Sequence, residues 1–172
     1  MRGLLLTWPM AIVLGACQTT STPSGTRLPR EPISTEAAFE FFEKVCGGSL
    51  PDFSTASAKV PQDWTTDDYG RKRSPNLLMG IKTGTFTQRQ QTGAFTQSSK
   101  PGFSCSVTFA TFDKRPEKLA DVRYPSIEGL DRFPVLRSYG KTDATVELGG
   151  VVSSGSPNGP SFYNITMRYV SE

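Results

Sequence analysis

The chain has 172 residues, three cysteines, no histidine and a formal net charge of +3. This length suits one domain with a hydrophobic core of its own. Without histidine, the chain alone cannot supply Ser-His-Asp or Cys-His catalysis, or a zinc site of the Cys/His type. The small positive excess also argues against a nucleic-acid partner.

The N-terminus has the pattern of a bacterial export signal. Arg2 precedes an apolar run at 4–14, which spans roughly 16 Å as a helix and is too short for a bilayer core of about 30 Å. Residues 14–17, Leu-Gly-Ala-Cys, resemble the lipobox of bacterial lipoproteins. The resemblance implies that residues 1–16 are removed and that Cys17 carries lipid. The alternative is an ordinary signal peptide with an incidental cysteine.

The position after the lipidated cysteine bears on which membrane holds the anchor. In the enterobacterial sorting pattern an Asp at this position favours the inner membrane, whereas this chain has Gln18. The resemblance therefore implies a protein of the bacterial cell envelope, lipid-anchored at the outer membrane and facing the periplasm.

The composition of residues 17–33 predicts a lipidated, disordered tether. The segment is rich in Ser, Thr, Pro and Gly, and it has too little apolar surface to offset the entropy lost on ordering. A flexible segment of this length has a root-mean-square reach of about 20–25 Å. The globular domain is accordingly predicted at 34–172.

The remaining cysteines predict a disulfide. With Cys17 assigned to the lipid, Cys46 and Cys105 form an even pair, and exported proteins fold in an oxidising compartment. A bridge between them closes a loop of roughly 60 residues, for which the chain-entropy estimate is about 4 kcal/mol.

The first half of the domain predicts a helix pair. Ser34 is a suitable N-cap for a helix whose apolar stripe recurs at helical spacing through Val45, before the Gly47-Gly48 pair. A second, shorter helix is predicted from Asp52 to Val60. The polar stretch 61–76 is predicted to be irregular.

From Leu77 onward, apolar residues alternate with polar ones, which is typical of strands. Strands are predicted at 77–88, 92–97, 103–109, 135–139, 144–148 and 163–169, with a turn at 100–102 and a helix capped by Asp113. The odd-numbered residues of 103–109 and 163–169 are predicted to be buried. The fold class is therefore α+β: an N-terminal helix pair and a mostly antiparallel sheet of five to six strands with one inserted helix.

One candidate interaction surface lies in the loop 63–73. Two aromatic residues stand there beside carboxylates and a basic triplet, a combination that suits protein or glycan recognition. The aromatic residues are Trp64 and Tyr69, and the basic triplet is Arg71, Lys72 and Arg73. The alternative is a solvated connection in which Trp64 packs on the domain edge. The aspartates of this loop lack the spacing of a calcium-binding loop, so no metal site is predicted.

The other candidates carry weaker signals. The Gly/Ser-rich stretch 149–160 contains no phosphate-binding motif, and it is either a recognition loop or a simple turn. Glu128, Asp131 and Glu147 would support glycosidase-type chemistry only if two carboxyls stood about 5–9 Å apart, and nothing in the sequence marks such a pair.

We therefore predict a lipid-anchored, non-catalytic binding, scaffold or assembly module that needs no cofactor. Its partners would be the membrane, through the N-terminal lipid, and an envelope protein or glycan. The alternatives are an envelope hydrolase that uses carboxylates, or a periplasmic inhibitor of the lysozyme-inhibitor type. The inhibitor alternative is weakened because Ser154-Gly155 is not followed by a tyrosine at the spacing of that motif.

Overall fold

The computed structural model describes residues 28–89, 97–127, 136–153 and 158–170. The lipobox, Cys17 and residues 17–27 of the predicted tether lie outside these ranges, as do Glu128 and Asp131. Residues 92–96 of the predicted strand at 92–97 and residues 154–157 of the Gly/Ser-rich stretch also lie outside them. Within the described ranges, no helix has the length and apolar character needed to cross a membrane.

The described chain contains two α-helices and one seven-stranded sheet. The strand order is β1-β2-β3-β4-β7-β6-β5, and every neighbouring pair is antiparallel. This arrangement confirms the α+β class. In chain order the elements are α1 Thr35–Val45, β1 Thr65–Thr66, β2 Lys72–Arg73, β3 Leu77–Arg89, β4 Gln97–Thr111, α2 Pro116–Arg123, β5 Leu136–Ser138, β6 Thr145–Ser153 and β7 Ser161–Val170.

Helix α1 begins where two side chains satisfy its first backbone N–H groups. The Ser34 hydroxyl accepts a hydrogen bond from the Ala37 N–H at 3.2 Å, and Asp113 Oδ2 accepts one from the Thr35 N–H at 2.7 Å. The first N–H groups of a helix have no partner inside it, so such acceptors stabilise the start. The helix buries one stripe against the sheet: Ala38, Phe39, Phe42 and Val45.

The sheet buries one face beneath α1. Register places Val107 opposite Ile165 and Cys105 opposite Met167, with all four side chains fully buried. Because opposed residues in an antiparallel pair point to the same side, the odd-numbered residues of β4 and β7 share this face. The predicted burial of 103–109 and 163–169 is confirmed at the centre of the sheet, while Phe103, Tyr163 and Tyr169 are partly buried at its margins.

The predicted disulfide is confirmed. Cys46 follows α1 directly and bonds to Cys105 in the middle of β4, with an S–S distance of 1.99 Å and a Cα–Cα distance of 5.6 Å. The bridge therefore joins the helix layer to the sheet layer at the centre of the core.

The predicted second helix is wrong. Pro51 follows a cis peptide bond, Phe53 has a φ of 56°, and only a 3-10 helix at Ala56–Lys59 is present. Asp52 accepts a hydrogen bond from the Ser54 N–H at 2.9 Å, which favours a turn over a helix. Phe53 and Ala56 are nevertheless fully buried. Two buried residues three positions apart are compatible with a turn as well as with a helix, so their spacing did not distinguish the two.

The predicted turn at 100–102 is also wrong, because β4 continues through it. Gly102 pairs with Gly84 of β3, and Pro101 pairs with Thr85. A Cβ on Gly102 would stand 2.6 Å from the Tyr169 carbonyl oxygen, so glycine serves close strand packing here and not a turn. The described sheet has seven strands and not five to six, because the segment predicted to be irregular contributes β1 and β2. Of the predicted strand at 92–97, only Gln97 is described, and it is the first residue of β4.

Two further boundaries differ from the sequence prediction. Asp113 caps α1 and not α2, whose first residue follows Arg115 without a side-chain cap. At the N-terminal end of the described chain, the N–H groups of Arg30 and Glu31 donate to the Pro75 carbonyl, and that of Ile33 donates to the Ala110 carbonyl. Contact with the domain therefore extends into the segment for which the sequence predicts a tether.

Candidate functional site

The predicted recognition segment forms a small hairpin at one edge of the sheet. Thr65 pairs with Arg73, and Thr66 pairs with Lys72. Strand β2 then pairs with β3 through Lys72 opposite Met79 and Arg73 opposite Leu78. We call residues 65–73 the edge hairpin. Its ladder attaches it to the sheet, which distinguishes it from the solvated connection that the sequence left open.

Asp67 organises the edge hairpin. Its Oδ1 accepts hydrogen bonds from the N–H groups of Tyr69 and Arg71, each at 3.0 Å, and its Oδ2 accepts one from Arg71 Nε at 2.8 Å. Arg73 adds an ion pair with Oδ2 at 3.7 Å. Burial alone would raise the pKa of Asp67, but the hydrogen bonds and charge of Arg71 outweigh it and lower the pKa.

Tyr69 stands at the tip of the edge hairpin with 69% of its surface exposed. The Arg71 guanidinium lies 5.0 Å from the centroid of the Tyr69 ring, within the range of a cation–π contact. Gly70 has a φ of 73°, a conformation that glycine adopts without the steric penalty of other residues. The exposed ring is thus attached to a turn whose backbone is fixed by Asp67.

The remaining aromatic and basic residues of the segment take other positions. Trp64 is partly buried and stacks on Phe41 of α1, with ring centroids 5.0 Å apart and planes inclined by 14°. Lys72 Nζ donates to the Thr66 hydroxyl at 2.9 Å. The structure therefore brings Tyr69, Arg71 and Arg73 together around Asp67, whereas Trp64 packs on the domain edge as the alternative interpretation had it.

The tip of the edge hairpin lies beside the continuing part of β3. Because β2 runs antiparallel to β3, the chain that precedes Lys72 extends toward Gly80 and Ile81. The Arg71 side chain crosses Gly80, where an added Cβ would stand 3.5 Å from Arg71 Cγ. The sequence did not predict that Arg71 lies over Gly80. The one indication was Gly80 itself, because a glycine within a regular strand often marks a close approach of another group.

A second polar cluster joins α1 to α2, and no sequence motif indicates it. The Tyr124 hydroxyl donates to Glu43 Oε1 at 2.8 Å, and Arg123 makes ion pairs with Glu43 at 3.1 Å and with Glu36. Burial and then the hydrogen bond to Glu43 raise the pKa of Tyr124 above its ordinary range. The cluster links the helices on the side of α1 that faces α2.

The carboxylates bear on the hydrolase alternative. A general acid usually has a raised pKa, yet hydrogen bonding lowers the pKa of three described carboxyls, namely Asp52, Asp67 and Asp113. Glu147, one of the predicted candidates, forms an ion pair with Arg168 at 2.8 Å. In the described part of the chain, no group of three or more acidic or cysteine side chains is placed to hold a metal ion.

No protein family, no curated protein and no solved structure matches this chain.

Proposed function

We propose that the chain is a lipid-anchored envelope protein that binds a partner through the edge hairpin. The observation that carries this proposal is an exposed tyrosine on an ordered turn. Tyr69 is 69% exposed, while the carboxylate of Asp67 accepts hydrogen bonds from the backbone N–H groups of Tyr69 and Arg71. The proposed activity is binding, and the partner is a protein or a glycan of the envelope.

The turn favours binding because its backbone is already ordered before a partner binds. Tyrosine offers a large, rigid contact surface with few rotatable bonds, and it is enriched at the centres of interfaces. Binding to a flexible loop would lose conformational entropy. Here the Asp67 network has already restricted the backbone, and Arg71, which is ion-paired with Asp67, packs against the ring.

The envelope location depends on the lipobox resemblance. After processing, Cys17 would carry acyl chains, and several chains together give stable membrane attachment. The disulfide supports export, because such bonds persist in oxidising compartments.

Site-specific cross-linking tests the binding site. A photoreactive residue at Asp68, beside the tyrosine, is expected to capture one partner from intact envelopes. Tyr69→Ala should reduce the capture about tenfold, as expected for an interface anchor, whereas Tyr69→Phe should retain most of it. Val122→Ala is a matched control, because Val122 is also exposed but lies on α2. Equal capture by all three variants would contradict the proposed site.

The anchor has a separate test. Cys17→Ser should abolish labelling with palmitate and release the protein from sedimented membranes. Unchanged sedimentation of this variant would contradict the anchor while leaving the binding site open to its own experiment.

A further inference from the structure

Strand β3 has an open edge beyond the edge hairpin. β2 pairs with β3 only at Leu78 and Met79, although β3 continues to Arg89. In the described part of the chain, no strand pairs with β3 on this side from Ile81 onward. Thr83 and Thr85 are exposed. We call residues 81–89 the open edge, which extends for about 30 Å at roughly 3.3 Å per residue.

The hydrogen-bond pattern fixes which backbone groups this edge presents. The Ser74 N–H donates to the Leu77 carbonyl at 2.9 Å, so Leu77 directs its backbone groups toward β2. Antiparallel ladders alternate strictly, and the groups of Ile81, Thr83 and Thr85 therefore point to the same side. Those of Lys82 and Gly84 point toward β4, with which they pair opposite Ser104 and Gly102.

Strands β3 and β4 differ in the residues that they place along their outer edges. Proteins commonly blunt an exposed edge with proline or with charged residues. On β4, position 101 is a proline and has no N–H to offer. On β3, the open edge contains no proline, and its two charged residues, Lys82 and Arg89, lie near its ends. Three of the six residues between them are threonine, which favours strands.

We propose that the open edge receives an extended, acidic peptide segment of the partner as an additional strand, with Tyr69 and Arg71 contacting one end of that segment. This inference rests on the proposed function and assigns its mode of recognition. Strand addition supplies main-chain hydrogen bonds at the edge, and neighbouring side chains provide specificity. The edge hairpin ends beside Ile81, so an added strand would lie in line with β2 and would meet the Tyr69 turn.

Charge determines the kind of strand. Residues 81–102 contain Lys82, Arg89 and Lys100 but no aspartate or glutamate. Lys82 is exposed and makes no ion pair within the described ranges. Arg71 lies close by across Gly80, where it is ion-paired with Asp67. A second copy of this chain would bring the same positive charges together, whereas an acidic segment would be attracted to them.

The backbone pattern favours a polypeptide over an anionic lipid surface. Thr83 and Thr85 each present both a donor and an acceptor along the edge, and a strand uses both kinds of group. Phosphate groups would use the donors and the lysines only. The predicted ligand is therefore a peptide strand with carboxylate side chains.

The probe for this test is a fluorescein-labelled peptide of alternating glutamate and threonine, of roughly nine residues to match the open edge. Binding to the purified, disulfide-intact domain is measured by fluorescence anisotropy. Two matched peptides serve as controls: one carries lysine in place of glutamate, and the other has alternate backbone nitrogens methylated. Each control is expected to bind at least about tenfold more weakly, because it lacks charge complementarity or backbone donors.

Two protein variants locate the binding. Thr85→Pro removes one outward N–H without removing a bond to β4, and proline is tolerated on an edge facing solvent. It is expected to lose at least about tenfold in affinity, as for a lost hydrogen bond at a desolvated edge. Thr85→Val keeps the N–H and should bind normally. Circular dichroism and the melting temperature establish that both variants are folded.

Several results would overturn the proposal. One is no binding of the glutamate peptide, and another is equal binding of its methylated form. Anionic phosphatidylglycerol vesicles that bind regardless of Thr85→Pro would assign the edge to a lipid surface. A dimer seen by sedimentation that Thr85→Pro dissociates would make a second copy the occupant.

This experiment is separable from that of the proposed function. If Tyr69→Ala abolishes envelope cross-linking while Thr85→Pro leaves it intact, the edge hairpin binds its partner without strand addition. If Thr85→Pro abolishes peptide binding while Tyr69→Ala leaves cross-linking unchanged, the open edge is a site and the Tyr69 turn is not.

Discussion

Strand β4 passes through two different surroundings. Its residues 103–109 lie between β3 and β7, beneath α1, and carry the disulfide at Cys105. Its residues 97–101 lie opposite β3 beyond the point where pairing with β7 ends at Gly102. One strand thus joins a region held by several independent restraints to one held by a single ladder. Binding sites are commonly drawn from the less stable parts of a fold.

The disulfide is the first place to test this comparison. Replacing both Cys46 and Cys105 by alanine should lower the free energy of unfolding by about 4 kcal/mol, because the unfolded chain loses a closed loop of 59 residues. Urea denaturation measures the change. A loss below about 1 kcal/mol would show that the helix layer and the sheet hold together without the bridge, and the contrast within β4 would be weaker than described.

Two glycines that face each other across the ladder sharpen the comparison. A Cβ on Gly102 would stand 2.6 Å from the Tyr169 carbonyl oxygen and 3.0 Å from Phe86 Cδ2, whereas one on Gly84 would meet nothing within 4 Å. Gly102→Ala should therefore cost about 1–3 kcal/mol of stability, measured in urea. Gly84→Ala is the matched control and should change stability by less than about 0.5 kcal/mol. Equal losses of stability for the two variants would indicate that β7 does not crowd the backbone at Gly102.

The helix layer makes a prediction about alkaline pH. Tyr124→Phe removes the hydrogen bond to Glu43 and should lower stability by about 1.5 kcal/mol at neutral pH. The pKa of Tyr124 is raised in the folded state, so the unfolded chain loses its proton first, near pH 10. The stability contributed by neutral Tyr124 is therefore present below about pH 10 and lost above it.

The variant should consequently show a shallower loss of stability above pH 10, measured by urea denaturation at several pH values. A residual slope is expected from Tyr139 and Tyr163, because burial raises the pKa of each. Identical alkaline slopes for the variant and the native chain would contradict the role given to Tyr124.

Amide hydrogen exchange tests, residue by residue, which backbone N–H groups of β3 lie on its unpaired side. In β3, the amides of Thr83 and Thr85 should exchange at least about tenfold faster than those of Lys82 and Gly84, because only the latter pair with β4. Strand β7 provides the control, since β4 and β6 flank it and its residues 164–167 should show no alternation. Slow exchange at both threonines would mean that the edge is covered.

Local patterns predicted those parts of the molecule whose burial repeats regularly. The alternation around Cys105 identified the buried face of β4, and the apolar stripe after Ser34 identified α1. Those patterns also placed the two cysteines close enough to bond. In each case a single periodicity extends over enough residues to distinguish a helix from a strand.

The sequence could not predict features that depend on a distant neighbour. Pro101 marks a turn in most contexts, and only its register in β4 makes it acceptable within a strand. The two-residue strands of the edge hairpin are too short to show any period, and they form where Asp67 fixes the turn. The sequence leaves open whether Trp64 belongs to the recognition surface or packs on the domain edge, because nothing local reveals that Phe41 stacks on it.

The bridge between Cys46 and Cys105 also affects how the chain responds to a protease. The whole open edge lies within the loop that it closes. Trypsin acting after Lys82 or Arg89 would sever the main chain there, yet both fragments would stay covalently linked. Such a molecule would migrate as one band on a gel run without reductant and as two bands with it. Cleavage at the open edge therefore need not release either half of the domain.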